Sequence, residues 1–286
     1  MLHLENEELK IRVNPMGAEL CSLYSKEHRL EYIWQAGTAW PKHSPVLFPI
    51  VGQLKDNRYR YNGNDYTLPR HGFARERMFR ADEVGPGRLL FRLLDDEDTL
   101  KIYPFPFCFE IDYHLIENRL HVTYVVQNKG NDTMYFSVGA HPAFRVPLDI
   151  RDQYEDYALH FDQQESSGRW PLNDGLIGTT PEPFFSGKEL RLTKELFHKD
   201  ALVFKNLQSD YITLRSDKHT HGIKFGIHQC PFFGLWAAKN ADFLCIEPWQ
   251  GIADSVNASG SLEEKEGIHA LPPNGFFKTS WSVEVF

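Results

Sequence analysis

Three short islands of this 286-residue chain hold the side chains best suited to chemistry: "RHGFAR" around His71, "GAHPAF" around His141 and "CIEPWQG" around Glu247. In each, an ionisable residue stands where an apolar run meets a turn. Burying an unpaired imidazole or carboxylate is costly, so a residue in that setting is either paired or functional. Two imidazoles and a carboxylate can hydrogen-bond a polar ligand or exchange protons with it. Taken singly, each has a plainer explanation. A histidine at a strand end is commonly a satisfied structural residue, and a glutamate before proline is commonly a strand terminus. The arginines beside His71, at 70, 75 and 77, read equally well as a solvated basic loop. Gly72 adds a local constraint, because glycine adopts conformations other residues avoid and lets a second group come close.

The elements that must position these residues read as strands. "RLHVTYVVQN" sets Leu120, Val122, Tyr124 and Val126 against His121, Thr123 and Gln127, with Val125 out of pattern. "YRYNGNDYTL" is a hairpin around Asn62-Gly63, and "ADEVGPGRLLFRLL" repeats the logic around Gly85-Pro86-Gly87. "DYITLRS" and "KTSWSVEVF" are further short alternating runs. No amphipathic helix longer than about three turns is expected. The best short helix is "LTKELFHKDA", with Thr193 as its N-cap. This spacing predicts an all-β fold, a large antiparallel β-sandwich, formed as one domain over residues 1–286. The Gly-, Pro- and Ser-rich segment from Phe161 to Leu190 reads as a long excursion on its surface.

Composition narrows the function classes. Hydrophobic residues at 42% and charged residues at 24% are ordinary for a soluble globular protein. A net charge of -8 argues against a nucleic-acid partner. The first residues lack a basic start with a long apolar run, so no secretory signal is expected. No window reaches the roughly 18 apolar residues of a membrane span. Cys21, Cys108, Cys230 and Cys245 are scattered, which predicts reduced, mostly buried thiols in a cytoplasmic protein and disfavours a zinc site.

In their order along the chain, "HGFAR", "GAHPAF" and "CIEPWQG" resemble the aldose 1-epimerases (mutarotases), and more closely their galactose-mutarotase-related branch. "SPVLFPIVGQL" (Ser44 to Leu54), "YNGNDYTLPRHG" and the tail "EPWQGIADS … LPPNGF" extend the likeness, which runs from about Val13 to Phe286. The resemblance implies the large β-sandwich and an isomerase that needs neither metal nor cofactor. It implies that Glu247 takes the proton of the sugar's O1 hydroxyl, that His141 protonates the ring oxygen, and that His71 hydrogen-bonds close to that oxygen. Arg75 is expected at the same cleft, holding a hydroxyl or an anion. Lys55, in "PIVGQLKDNRY", is expected in place of an arginine that better-known mutarotases carry in a "GRxANR"-like run. Asp200, in "LFHKDALVF", matches a hydroxyl-binding aspartate, and Trp249 completes the substrate-binding set.

Four functional readings stay open at this stage. They are a hexose 1-epimerase; a hexose-6-phosphate 1-epimerase, which "HGFAR" also resembles; a non-catalytic sugar binder; and, last, a glycoside hydrolase, which needs two carboxylates where only Glu247 has a convincing setting. The partner expected is a small-molecule sugar, with no nucleic acid or membrane, and the chain a monomer or homodimer. Of the remaining polar clusters, His219 and His221 in "HTHG" read as a polar hairpin turn rather than metal ligands. Arg58 and Arg60 read as a solvated strand face, and the acidic run from Asp95 to Asp98 as an exposed turn.

Overall fold

The computed structural model describes residues 1–227 and 230–286. Strands form where apolar residues alternate. Arg119–Asn128 alternates half-exposed and buried positions along its whole length, and Val125, out of pattern in sequence, sits on the outer face. Arg58–Tyr61 pairs with Asn64–Thr67 through Asn62 and Gly63, at φ 47° and 74°, as a type I′ turn requires. Arg80–Gly85 pairs with Arg88–Leu94 across the Gly-Pro-Gly turn. The solvated face expected for Arg58 and Arg60 is observed.

Nine strands form one antiparallel sheet, with Phe276–Val285 and Arg119–Asn128 near its middle and Gly187–Arg191 and Arg80–Gly85 at its edges. A second sheet has Phe243–Gln250 as a central strand. It is flanked on one side by Phe232–Trp236 and on the other by Val138–Ala140 and then Ala143–Arg145. Four short N-terminal strands, Leu2–Glu5 to Leu30–Glu31, add a third, smaller sheet. Aromatic rings fill the space between layers. Phe144 of the second sheet meets Phe225 of the first at 5.8 Å. The buried Tyr113 hydroxyl donates to the carbonyl of Ala18 in the N-terminal part, at 2.8 Å. The fold is the all-β antiparallel sandwich expected.

Three local expectations change. The run Asp95 to Asp98 is not only a turn, since it starts the six-residue helix Glu97–Ile102. Asp96 Oδ1 accepts the Thr99 N–H at 2.7 Å while Thr99 Oγ1 accepts the Asp96 N–H at 2.8 Å, a reciprocal capping box. Acidic side chains at that end also suit the helix dipole. Conversely, "LTKELFHKDA" yields only a 3-10 turn, Lys194–Phe197, and Thr193 makes no side-chain cap. The segment from Phe161 to Leu190 is structured. It continues the strand Tyr157–Glu165, folds a small hairpin from Leu172–Asn173 and Leu176–Ile177, and ends in the edge strand Gly187–Arg191. The hairpin matters for function, because it forms a wall of the cleft described below.

Phe48 is where the layers are tied together. It is fully buried and its ring touches Phe107 and Phe109 of the large sheet, with centroids 5.1 and 4.6 Å away, and Phe73 at 6.2 Å. Truncating such a ring removes apolar contact and leaves a cavity, typically about 3–5 kcal/mol. Phe48→Ala is therefore expected to lower the unfolding free energy by that amount, read as a fall in the urea midpoint at unchanged slope.

Candidate active site

Phe48 also fixes the first island through its backbone. Its carbonyl accepts the N–H groups of Phe73 and Ala74 at 3.0 and 3.1 Å, and its own N–H donates to the His71 carbonyl at 3.3 Å. The chain can fold this tightly because residue 72 is glycine. Gly72 has φ +69°, and a Cβ there would fall 2.3 Å from the Phe48 carbonyl oxygen. His71 is forced into the left-handed region too, at φ +69°. A histidine in that conformation is uncommon and stores strain, which persists only where the surroundings hold it. The backbone N–H of Gly52 donates to His71 Nδ1 at 3.1 Å. That assigns the tautomer: Nδ1 is the acceptor, so the proton of the neutral ring is on Nε2, free to donate.

His141 and Glu247 meet by strand register. Gly139 is opposite Trp249 and Ala143 is opposite Cys245. These two pairings share one register, so the residues between them place His141 directly across from Glu247. Pro142 and Pro248 follow the two residues and supply no N–H, which thins the ladder at this point to bonds such as that from the Ile246 N–H to the Pro142 carbonyl at 3.2 Å. Across the gap, His141 Nε2 lies 3.3 Å from Glu247 Oε2. Glu247 is 1% exposed and His141 9%. No aligned hydrogen bond satisfies Glu247 Oε2 or His141 Nδ1. The imidazole is boxed in by aromatic rings, stacked on Trp40 at 5.2 Å and edge-on to Trp236 at 5.7 Å. His71 stands edge-on at 5.8 Å.

Burial sets the protonation of all three. Loss of water pushes the Glu247 carboxyl well above the ordinary carboxylate range; Trp249 and the Arg70 charge oppose this, and Asp200 adds to it. His141 is lowered to about 3, chiefly by burial, with the Arg75 and Arg70 charges acting in the same direction. His71 is held well below its ordinary value, first by burial and then by His141, Arg75 and Arg70. Glu247 and His141 touch, so they titrate as a pair. We assign the pair one proton between them, because a second charge of either sign would be buried without a partner.

These groups line a cleft of about 360 Å³, a volume typical of small-molecule sites. Of the residues singled out from sequence, His71, His141, Glu247, Arg75, Asp200 and Trp249 all line it. Asp200 is held at φ 152°, a second strained position in the wall, and its Oδ1 accepts the following N–H, of Ala201. Trp249 lies flat over two glycines, since a Cβ on Gly234 or Gly139 would come within 2.6 or 2.8 Å of its ring. Its buried indole N–H makes no well-aligned hydrogen bond, yet it acts on Glu247 as the donor that lowers the carboxyl.

Lys55 is the exception. It is not among the cleft-lining residues. It opens the 3-10 turn Lys55–Asn57, which is pinned when the Lys55 N–H donates to Asp254 Oδ2 at 2.9 Å. That tie turns the chain away from the cleft after Gly52. The second cleft cation is instead Arg70, which adjoins His71 in sequence and could have been picked out on that ground alone. Arg70 packs against Gly175 in the 172–177 hairpin, where an added Cβ would sit 2.9 Å from its Nη2. Trp40 and Trp236 carry no sequence motif that marks them. The hairpin was hidden in a segment of loop-like composition.

Residues 1–269 match the family model described as aldose 1-epimerase. The chromosomally encoded protein LacX of Lactococcus lactis subsp. lactis is 32% identical over 296 aligned positions, covering 99% of each chain. A crystal structure of a galactose mutarotase related enzyme from Lactobacillus acidophilus superposes with a TM-score of 0.95 at 35% identity, covering 100% of this chain and 97% of that one. A galactose mutarotase-like protein from Lactobacillus casei superposes with a TM-score of 0.92 at 28% identity over the whole of both chains. The chain belongs to the aldose 1-epimerase family.

The neutral burial of His71 has a measurable consequence. Below its ordinary value of 6.5 the unfolded chain binds a proton at this histidine that the folded chain refuses. Stability therefore falls as pH drops through 6.5, by up to about 1.4 kcal/mol per pH unit for one such group. Urea unfolding at a series of pH values between 7.5 and 5 is expected to show this acid sensitivity, and His71→Asn to reduce it.

Proposed function

We propose that this protein is an aldose 1-epimerase that interconverts the α and β anomers of a hexose or a close derivative by opening and reclosing the ring. The observation that carries the reading is the His141–Glu247 pair, 3.3 Å apart at the floor of the cleft. A cyclic aldose is a hemiacetal whose O1 and ring oxygen are bonded to the same carbon. Ring opening needs a proton removed from O1 and a proton delivered to the ring oxygen, at two neighbouring points. With the pair as carboxylate and imidazolium, Glu247 takes the O1 proton and His141 protonates the ring oxygen as the C1–O5 bond breaks. The pair is then carboxylic acid and neutral imidazole, with the same number of protons. Rotation about C1–C2 presents the other face of the aldehyde, and the reverse transfers close the ring.

Both forms of the pair are thus used in each turnover, and burial stabilises the uncharged one. The ion pair that opens the ring is therefore the less stable form in the empty cleft, and its two buried charges are discharged as the ring opens. The His71 Nε2–H is placed to hydrogen-bond near the ring oxygen. Asp200 and the Trp249 indole N–H offer an acceptor and a donor for the sugar's other hydroxyls. The single-domain organisation over 1–286 belongs to this reading as well.

Glu247→Gln keeps the shape and removes the base. Polarimetry or NMR exchange on freshly dissolved α-glucose and α-galactose is expected to show kcat lowered about 10²-fold or more, with KM changed little. His141→Asn is expected to do the same. Wild-type turnover in either variant removes that residue from the mechanism. No turnover of any sugar by the wild-type protein leaves the non-catalytic binding reading.

A second reading, a phosphorylated hexose, is favoured by one observation: two guanidinium groups, Arg70 and Arg75, line the cleft. They differ in how free they are. Arg75 Nη2 donates to the Arg70 carbonyl at 2.8 Å, so Arg75 braces the turn that holds His71. Arg70 keeps its fork of donors at the exposed rim, suited to a planar, bidentate grip on an anion. We expect Arg75→Ala to impair free and phosphorylated sugars alike. A charge-assisted contact to phosphate is worth roughly 1.5–3 kcal/mol, so Arg70→Ala should weaken a 6-phosphate about ten-fold or more if that is the substrate. Competition between glucose and glucose 6-phosphate in the mutarotation assay decides. Half-inhibition by the 6-phosphate at a tenth of the glucose concentration establishes the second reading, and equal potency the first.

A further inference from the structure

The strand that carries Glu247 brings a third ligand to the same point. Side chains alternate along Phe243–Gln250, so Cys245 shares a face with Glu247, two residues on. Cys245 is fully buried and does not line the cleft, so it lies beneath the His141–Glu247 pair. One ligand atom from each of His141, Cys245 and Glu247 can be chosen so that all three lie within 4.8 Å of one another. The 3.3 Å between His141 Nε2 and Glu247 Oε2 is also the edge of a tetrahedron around zinc: bonds of about 2.0 Å at the tetrahedral angle put N and O roughly 3.3 Å apart. Glu247 Oε2 has no hydrogen-bond donor, although it is buried.

We propose that His141, Cys245 and Glu247 form a binding site for a borderline-soft divalent cation, zinc above all, and that the ion inhibits the protein by occupying its acid–base pair. The donor set of imidazole, thiolate and carboxylate suits zinc and disfavours the oxygen-seeking magnesium and calcium. The charges close as well. A dication with a carboxylate, a thiolate and a neutral imidazole has no net charge, so the burial that penalises each free ion does not penalise the complex. The fourth position faces the cleft, where water or a sugar oxygen can enter. The ion is an inhibitor and not an aid, because it consumes the His141 lone pair and the Glu247 carboxylate that would otherwise carry protons. A second group of similar composition, Glu19, Cys21 and His43, is a poorer site. Glu19 Oε1 already accepts the N–H groups of His43 and Ser44 at 2.7 and 3.0 Å, and the Cys21 thiol donates to the Glu19 carbonyl.

The test is titration of chelator-treated protein with Co²⁺, followed by displacement with Zn²⁺. Binding is expected to produce a thiolate-to-cobalt charge-transfer band and to release protons, since the thiol must lose its own. Cys245→Ser and Cys245→Ala are expected to abolish the band. They should weaken zinc by more than the roughly 10–100-fold that loss of an outer-sphere partner costs. Circular dichroism checks their folding, and the serine variant, closest in volume, stands in if the alanine variant does not fold. Zn²⁺ should inhibit mutarotation of glucose or galactose by the wild-type protein, reversibly with EDTA, while Cys245→Ser, compared with its own zinc-free rate, resists it. The spectroscopic arm needs no turnover, so it stands even if the epimerase reading fails. Absence of the band, its persistence in both Cys245 variants, or its loss in Cys21→Ser each overturns the proposal.

Discussion

The backbone carbonyl of Phe48 is the fixed point on which the site depends. It takes two N–H groups from the turn after His71 and comes so near residue 72 that only glycine fits. The ring of the same residue is packed among aromatics of the large sheet. The loop that carries His71 is thereby fastened to the core instead of hanging from the surface. A histidine at φ +69° persists only where its surroundings hold it, and the Gly52 N–H on its Nδ1 adds to that clamp. Arg75 adds a second fastening by holding the Arg70 carbonyl.

The other half of the site depends on β-sheet register. His141 faces Glu247 because the pairings on either side of them agree, and the two prolines each withhold one N–H from the ladder beside them. A slip of one residue would turn both side chains to the opposite face of the sheet. Burial then does electrostatic work. The same loss of water raises the carboxyl and lowers the imidazole, which favours the uncharged form of the pair, carboxylic acid and neutral imidazole. The sugar chemistry and the metal binding proposed above would draw on the same two atoms, His141 Nε2 and Glu247 Oε2, 3.3 Å apart.

The sequence by itself determined a good deal. Alternation and turn residues were enough for the antiparallel sandwich, because one face of each strand must be apolar and Asn-Gly or Gly-Pro-Gly permits few other connections. The order of the three motifs was enough to single out His71, His141 and Glu247, although Glu247 lies within the strand Phe243–Gln250 and not at its end. Arg75, Asp200 and Trp249 followed from the same likeness and do line the cleft. Tertiary structure decided what depends on partners distant in the chain. Lys55 left the site because Asp254, 199 residues away, holds its backbone. Arg70 entered it because a hairpin from a Gly- and Pro-rich segment closes over it, and that segment's local composition shows only that it is not a regular helix or strand. Trp40 and Trp236 became the walls around His141 for the same reason. Cys245 shows the same limit: the chain shows no close cysteine pair, and nothing local marks its neighbours in space. Strand pairing nevertheless brings an imidazole more than a hundred residues earlier to the same point, and no local pattern encodes a register between distant strands.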